Sequence, residues 1–220
     1  MSTTNKGELD ALLAVKRQEA AVKFTDEKKQ TYAEGISSVA ASGVLENALN
    51  VNSKATNFTL KNASGKSVSL YEELKNGPVV VTWYRGGWCP YCNITLHYLQ
   101  ENLPEFQKAG ATLIALTPEL PDNSLSTAEK NSLAFSVLSD VGNVVGKEYG
   151  VVYTLTEDVA AMYEAGFGLS KVNGDHSNEL PLAATYVIDT DAIIQYAFLD
   201  ADYTERAEVS EILTALEKLK

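Results

Sequence analysis

The sequence predicts an α/β fold, in which helices cover a sheet on both sides, with a helical segment in front of it. From Asn52 onward, strand-like and helix-like patterns alternate. Residues 79–84 are a continuous apolar run, typical of a central strand buried on both faces. Residues 1–50 are instead rich in Ala, Glu and Lys and contain neither Pro nor Trp. We therefore expect a helical N-terminal extension (1–50) and an α/β domain (51–220).

Two helices are expected in the extension. The first carries a weak apolar stripe at helical spacing, made of Leu9, Leu12, Leu13 and Val22. The second carries a better one, made of Tyr32, Ile36, Val39, Ala40 and Gly43. Thr25 precedes the second helix as its N-cap. Because helices mostly serve packing, we expect both to pack on the domain or in a homodimer interface rather than to act in catalysis.

The α/β part begins with a predicted hairpin, whose strands 57–60 and 68–70 flank a turn at 62–65. The elements that follow, in chain order, are strand 79–84, helix 90–108, strand 111–117, helix 124–131, strand 136–138, helix 142–149, strands 186–189 and 193–199, and helix 205–219. Gly110 and Gly150 each follow a helix, where glycine commonly ends one.

Charge and hydropathy exclude two classes of partner. Eighteen basic and twenty-nine acidic residues give a net charge of −11, and no basic stripe interrupts it, so a nucleic acid partner is not expected. No apolar run approaches the roughly 18 residues of a membrane span. The first ten residues show no apolar core followed by a cleavage site, so we expect a cytoplasmic protein without a membrane partner.

Cys89 and Cys92 are the two cysteines of the chain, in a C-x-x-C pair. Such a pair serves redox chemistry or forms half of a metal site. A zinc site needs about two further ligands, and the available histidines, His97 and His176, lie in unrelated segments. The pattern therefore favours redox-active thiols, with no metal and no cofactor.

The residues around the pair, YRGGWCPYC (84–92), supply a context for a reactive thiol. A buried strand ends, two glycines turn the chain, and a helix begins with Pro90 at its first position, where a missing N–H is no loss. The Cys89 sulfur would face unpaired backbone N–H groups, which lowers the pKa of a thiol. Arg85 would add a positive charge, and Trp88 and Tyr91 would form a lip around the sulfur.

Cys92 lies one helical turn beyond Cys89, close enough for a disulfide without large backbone movement. The thiolate can attack an electrophilic oxygen or sulfur, after which the second sulfur displaces the product. We expect Cys89 to be the exposed attacking residue and Cys92 to be the more buried resolving residue.

Five segments resemble the peroxiredoxin-like branch of the alkyl hydroperoxide reductase/thiol-specific antioxidant family. They are ATNFTL (55–60) through GKSVSL (65–70), the YRGGWCPYC turn, LTPELPDNSLSTAEKNSLAFSVLSD (116–140) with residues 144–151, ATYVID (184–189), and YAFLDADYTERAE (196–208). The resemblance covers residues 52–220, and a helical N-terminal extension is usual in this branch. CPYC alone is less specific, because glutaredoxins share it.

The resemblance implies a thioredoxin-like fold, with a central mixed sheet flanked by helices. It also implies a thiol peroxidase that reduces hydrogen peroxide and organic hydroperoxides, with Cys89 as the peroxidatic residue. A thioredoxin- or glutaredoxin-type protein would return the electrons. The residues then expected to line the substrate pocket are Tyr84, Gly86, Gly87, Trp88, Pro90 and Ala183.

Two positions depart from the family pattern. Gly86 stands where standard peroxiredoxins have Thr or Ser, and Ala183 stands where they have Arg and thioredoxins have a cis-proline. Arg85 and backbone N–H groups would have to polarise the peroxide instead.

Two other functions use the same sulfurs. One is a thiol–disulfide oxidoreductase that acts on protein disulfides, which CPYC and the two departures favour. The other is a redox sensor, in which the disulfide switches a partner surface such as the N-terminal helices. The similarity along the whole chain favours the peroxidase.

Overall fold

A computed structural model describes residues 7–62 and 65–220. The helices are α1 (Glu8–Lys23), α2 (Asp26–Ala41), α3 (Val44–Asn47), α4 (Leu70–Glu73), α5 (Pro90–Glu101), α6 (Leu103–Lys108), α7 (Pro121–Lys130), α8 (Val144–Glu148), α9 (Glu157–Phe167), α10 (Leu169–Asn173) and α11 (Val209–Glu217). The strands are β1 (Thr59–Lys61), β2 (Ser67–Ser69), β3 (Val79–Trp83), β4 (Thr112–Thr117), β5 (Ser136–Ser139), β6 (Val152–Thr154), β7 (Glu179–Pro181), β8 (Thr185–Ile188) and β9 (Ile194–Phe198). Within these ranges, no helix has the length and apolarity of a membrane span.

A five-stranded mixed sheet with the order β5-β4-β3-β8-β9 forms the centre of the molecule. β3 runs parallel to β4 and antiparallel to β8, and β4 runs parallel to β5. Every residue of β3 is buried. Val79, Val81 and Trp83 pack in one hydrophobic core, whereas Val80 packs in another on the opposite face. The predicted α/β architecture with a central strand buried on both faces is therefore confirmed.

The predicted hairpin is present as β1 and β2, which pair antiparallel. Two residues of its predicted turn, Ala63 and Ser64, lie outside the described residues. The other paired strands, β6 and β7, were not predicted, and neither were α9 and α10 between them. This unpredicted segment matters for function, because α9 contributes Tyr163 and Phe167 to the site described below.

Two predicted helices differ most from the structure in their bounds. The predicted helix 90–108 breaks at Asn102, so that α5 and α6 are separate. Pro104 explains the break, because it has no N–H to donate and its ring crowds the preceding turn. The last helix begins at Val209, four residues later than predicted. Residues 199–208 form a loop instead, and it brings Arg206 to the cysteines.

The N-terminal helices pack on the domain, and Glu208 joins α1 to the C-terminal segment. The Glu208 carboxylate accepts hydrogen bonds from the backbone N–H groups of Gly7 and Asp10, at 3.2 and 2.7 Å. Leu9 and Leu13 of the predicted stripe are buried, whereas Leu12 is 47% exposed and Val22 is 90% exposed. The prediction that the stripe packs on the domain was therefore wrong for two of its four residues.

The predicted start of α2 is confirmed. The Thr25 side chain accepts a hydrogen bond from the Lys28 backbone N–H at 3.3 Å, as an N-cap does. In the stripe predicted for this helix, Val39 is buried, Tyr32 and Ile36 are half-buried, and Ala40 is exposed. Tyr32 does more than pack on the domain, because its ring also lines the cavity that Cys89 lines.

Candidate active site

The turn between β3 and α5 places the two cysteines. Cys89 is the N-cap of α5 and Pro90 occupies the first helical turn, as predicted. Gly86 has φ +155°, and a Cβ built there would lie 2.2 Å from Trp88 Nε1. A Cβ on Gly87 would lie 2.1 Å from Thr127 Oγ1. A Thr or Ser at position 86 would therefore collide with Trp88, which gives the departure from the family pattern a steric reason.

Both sulfurs are buried, which corrects the expectation of an exposed Cys89. Cys89 is 1% exposed and Cys92 is 0% exposed. The two differ in what they face. Cys89 lines a cavity of about 550 Å³, and Cys92 lies behind that cavity without lining it. A small molecule in the cavity would thus meet Cys89 and not Cys92, although the two cysteines are almost equally buried.

A guanidinium that the sequence analysis did not place at the site binds the Cys92 sulfur. Arg206 Nη2 donates a hydrogen bond to Cys92 Sγ at 3.3 Å. Burial by itself would raise the pKa of the Cys92 thiol. The hydrogen bond from Cys89 and the charges of Arg206 and Arg85 outweigh burial, and they hold the pKa of Cys92 well below its ordinary value.

The pKa of Cys89 moves in the opposite direction, contrary to the prediction from its position at a helix N-terminus. Burial, the hydrogen bond to Cys92 and the negative charge on Cys92 raise the pKa of Cys89 well above its ordinary value. The guanidinium of Arg85 only partly opposes this rise. Within the reduced pair, these effects favour a negative charge on Cys92 rather than on Cys89.

Arg85 is the positive group in the wall of the cavity. It is 1% exposed, and its Nη2 donates a hydrogen bond to the Tyr163 hydroxyl at 2.6 Å. The centre of its guanidinium lies 4.2 Å from the centroid of the Tyr203 ring. Its Nε and Nη1 have no hydrogen-bond partner within residues 7–62 and 65–220. Two nitrogen atoms of this buried cation thus lack the hydrogen-bond partners that buried polar groups usually have.

Seven aromatic side chains contribute to the rest of the cavity wall. They are those of Phe24, Tyr32, Trp88, Tyr91, Tyr163, Phe167 and Tyr203. Trp88 stacks on Phe167 with ring centroids 4.4 Å apart and an angle of 19° between the planes. Phe24 and Tyr32 come from the N-terminal extension, so this extension helps to build the cavity and does not only pack. The lip expected from Trp88 and Tyr91 is part of this wall.

The structure brings only some of the predicted pocket residues to the cavity. Arg85, Trp88, Cys89 and Pro90 line it, whereas Tyr84, Gly86, Gly87 and Ala183 do not. The two glycines act through the backbone of the turn, and Ala183 is buried between β7 and β8. His97 lies on the exposed side of α5 beside Glu101, and His176 is also exposed. Neither histidine lines the cavity.

The sequence analysis missed Arg206, Tyr163 and Tyr203 as site residues. The rarity of arginine was a signal for Arg206. The chain has only three arginines, and another of them, Arg85, adjoins the cysteines in sequence. No comparable signal marked Tyr163 or Tyr203 among eleven tyrosines.

Glu119 binds the backbone of the turn between β3 and α5. Its side chain is buried, and its carboxylate accepts a hydrogen bond from the Gly87 backbone N–H at 3.0 Å. Burial raises the pKa of Glu119 from 4.5 to about 7. The folded protein therefore holds this proton more tightly than the unfolded chain does.

The free energy of unfolding should accordingly fall as pH rises through this interval. The contribution of Glu119 is fully present below pH 4.5 and is lost as pH approaches about 7. The loss amounts to about 3 kcal/mol. Urea unfolding of wild type and Glu119→Gln at pH 5 and pH 8 checks this, because the variant keeps a hydrogen-bond acceptor but cannot ionise. Equal pH dependence in the two proteins would contradict the assignment.

Known proteins are similar to this chain over most of its length. Residues 51–197 match the AhpC/TSA family. Chloroplastic peroxiredoxin Q from Sedum lineare is 31% identical over 163 residues, which cover 74% of this chain and 75% of that protein. Chloroplastic peroxiredoxin Q from Triticum aestivum is 30% identical over 180 residues, which cover 82% of this chain and 72% of that protein.

Solved structures agree in fold. The peroxidoxin BcpB from Mycobacterium tuberculosis has a TM-score of 0.62 at 19% identity, covering 78% of this chain and 99% of that one. A peroxiredoxin-like protein from Aquifex aeolicus has a TM-score of 0.61 at 17% identity, covering 79% of this chain and 89% of that one. At such identities the likeness concerns the fold alone.

Proposed function

We propose that this chain, which belongs to the AhpC/TSA family, reduces hydroperoxides at Cys89 and then closes a disulfide between Cys89 and Cys92. The resemblance predicted from the sequence is confirmed, as is the thioredoxin-like fold. The chain is an oxidoreductase of the peroxiredoxin kind, with thiol-dependent peroxidase activity. The roles of the individual residues are our proposal.

One observation carries the assignment of the attacking sulfur. Cys89 lines the cavity together with a buried guanidinium that has two unpartnered nitrogen atoms, whereas Cys92 does not line it. A hydroperoxide in the cavity would accept hydrogen bonds from Arg85 while its terminal oxygen lies against Cys89. These N–H groups would stabilise the negative charge that develops on the leaving oxygen.

The first step forms an S–O bond at Cys89 and breaks the O–O bond of the peroxide. The Cys89 proton passes to the leaving alkoxide, so that the products are a Cys89 sulfenic acid and an alcohol.

The second step uses the charge on Cys92. Its thiolate attacks the Cys89 sulfur, the S–O bond breaks, and the departing hydroxide takes a proton from solvent to form water. The hydrogen bond and the charge of Arg206 favour the ionised form of Cys92 for this attack. A dithiol protein of the thioredoxin type would then reduce the disulfide and become oxidised itself, and a glutaredoxin-type donor is the alternative.

Replacing Cys92 with serine should allow the first step and block the second. We expect one equivalent of peroxide to oxidise the Cys89 thiol of this variant to a sulfenic acid. A dimedone adduct detected by mass spectrometry would identify that product. The wild type should instead lose two thiols to an internal disulfide that thioredoxin reduces. Normal thioredoxin-dependent turnover by Cys92→Ser would rule out Cys92 as the resolving residue.

The thiol–disulfide oxidoreductase remains the second candidate, supported by CPYC. The similarity to peroxiredoxins over most of the chain favours the peroxidase over this alternative. The cytoplasmic location, the homodimer, the boundary at residue 50 and the redox-sensor alternative stay predictions.

A further inference from the structure

We propose, on the basis of the peroxidase function above, that the cavity selects organic hydroperoxides that combine an apolar body with an anionic group. Lys23 and Lys28 of the N-terminal extension would attract the anionic group, the aromatic rings would contact the body, and Arg85 and Cys89 would receive the peroxide. The inference thus names a substrate class and assigns a specificity function to the extension.

The size and lining of the cavity argue against a site made only for hydrogen peroxide. A volume of about 550 Å³ far exceeds the needs of a molecule with two heavy atoms, and it lies in the usual range for small organic ligands. Seven aromatic side chains contribute to the wall. Such rings gain by contact with apolar groups, whereas they offer little to a small polar peroxide.

The charges at the outer end of the cavity have the opposite sign to the chain as a whole. Lys16, Lys23 and Lys28 line the cavity together with one acidic residue, Glu19, although the net charge of the chain is −11. Lys16 Nζ pairs with the Glu19 carboxylate at 2.8 Å. The other two lysines have no acidic partner among the residues that the structure describes. Within those residues, neither lysine is therefore held by an ion pair, although Lys28 shares a neighbouring groove with Glu27 and Asp158.

The positions of the two lysines separate them from the reacting groups. Lys23 is exposed and Lys28 is half-buried, whereas Cys89 and Arg85 are buried. Lys28 Nζ lies 4.4 Å from the centroid of the Phe24 ring, at the edge of the aromatic wall. A ligand that spans the cavity would thus meet cations at its solvent end, rings along its body, and the guanidinium and thiol at its inner end.

The test compares two probes of nearly equal shape, cumene hydroperoxide and its para-carboxylate. Single-turnover oxidation of Cys89 gives a second-order rate constant for each, and their ratio isolates the effect of the charge. We expect the wild type to favour the carboxylate by about three- to tenfold at low ionic strength, and by less as salt is added. In Lys23→Gln/Lys28→Gln the ratio should fall to about one.

Lys29→Gln is the matched control. Lys29 lies next to Lys28 on α2, pairs with Asp26 at 3.1 Å and does not line the cavity, so its loss should leave the ratio as in wild type. A wild-type ratio of one or less, or an undiminished ratio in the double variant, would overturn the inference and leave the peroxidase function standing. If neither probe nor hydrogen peroxide oxidises Cys89 faster than a free thiol, the peroxidase function itself fails.

Discussion

Replacement of Cys89 with serine is expected to abolish the rapid reaction with peroxide, with a loss of at least about a thousandfold in rate. Cys89 is the sulfur in the wall of the cavity, and a serine hydroxyl is a far weaker nucleophile at neutral pH. Cys92 cannot replace it, because it lies behind the cavity and Arg206 holds its sulfur. Stopped-flow mixing with hydrogen peroxide, followed by titration of the remaining thiol, measures the loss.

The comparison with Cys92→Ser makes this prediction specific to one sulfur. Cys92 is the more acidic of the two thiols, so acidity alone would make it the attacking residue. If Cys89→Ser kept fast oxidation while Cys92→Ser lost it, access to the cavity would not decide which sulfur reacts. The assignment of roles would then have to be reversed.

Replacement of Arg206 with glutamine is expected to slow disulfide closure by roughly ten- to a hundredfold at pH 7, since a hydrogen bond to a charged group is lost. Arg206 is 7% exposed, and Nη1 also donates to the backbone carbonyls of Tyr203 and Glu205 at 2.5 and 2.6 Å. Without the guanidinium, the pKa of Cys92 should rise, so a smaller fraction is ionised at neutral pH. Raising the pH should therefore restore part of the rate.

Titration of thiolate absorbance in the ultraviolet measures this effect separately from turnover. The midpoint should move to higher pH in Arg206→Gln and return toward the wild-type value in Arg206→Lys, which keeps the charge. The lysine variant also separates electrostatics from damage to the 199–208 loop. An unchanged midpoint in a folded Arg206→Gln protein would contradict the role given to Arg206.

The elements that local pattern determines were predictable. The apolar run that became β3, the Thr25 cap and the strand–turn–helix context of Cys89 each depend on a few neighbouring residues. The predicted start of the last helix failed because tertiary bonds override local propensity there. Arg206 and Glu208 bind Cys92 and the start of α1, which holds the preceding segment in a loop.

The properties of the site depended on distant residues and could not be predicted in the same way. The helix N-terminus indicated a lowered pKa for Cys89, but burial and the charge on Cys92 reverse the direction. The motif contains Arg85, but its hydrogen bond to Tyr163 could not be predicted, because the two residues are 78 positions apart in sequence. The lining by Phe24 and Tyr32 required knowledge of where the extension packs.

The central claim is that a buried Cys89, in a cavity with Arg85, reacts with peroxide as an activated thiol. Rapid mixing of the reduced wild-type protein with hydrogen peroxide at pH 7 tests it most directly, with tryptophan fluorescence and thiol loss followed together. Trp88 adjoins Cys89 in sequence and lines the same cavity, so its emission should report the reaction. We predict oxidation far faster than that of free cysteine, with the loss of two thiols per chain. Oxidation at the rate of free cysteine would contradict the account.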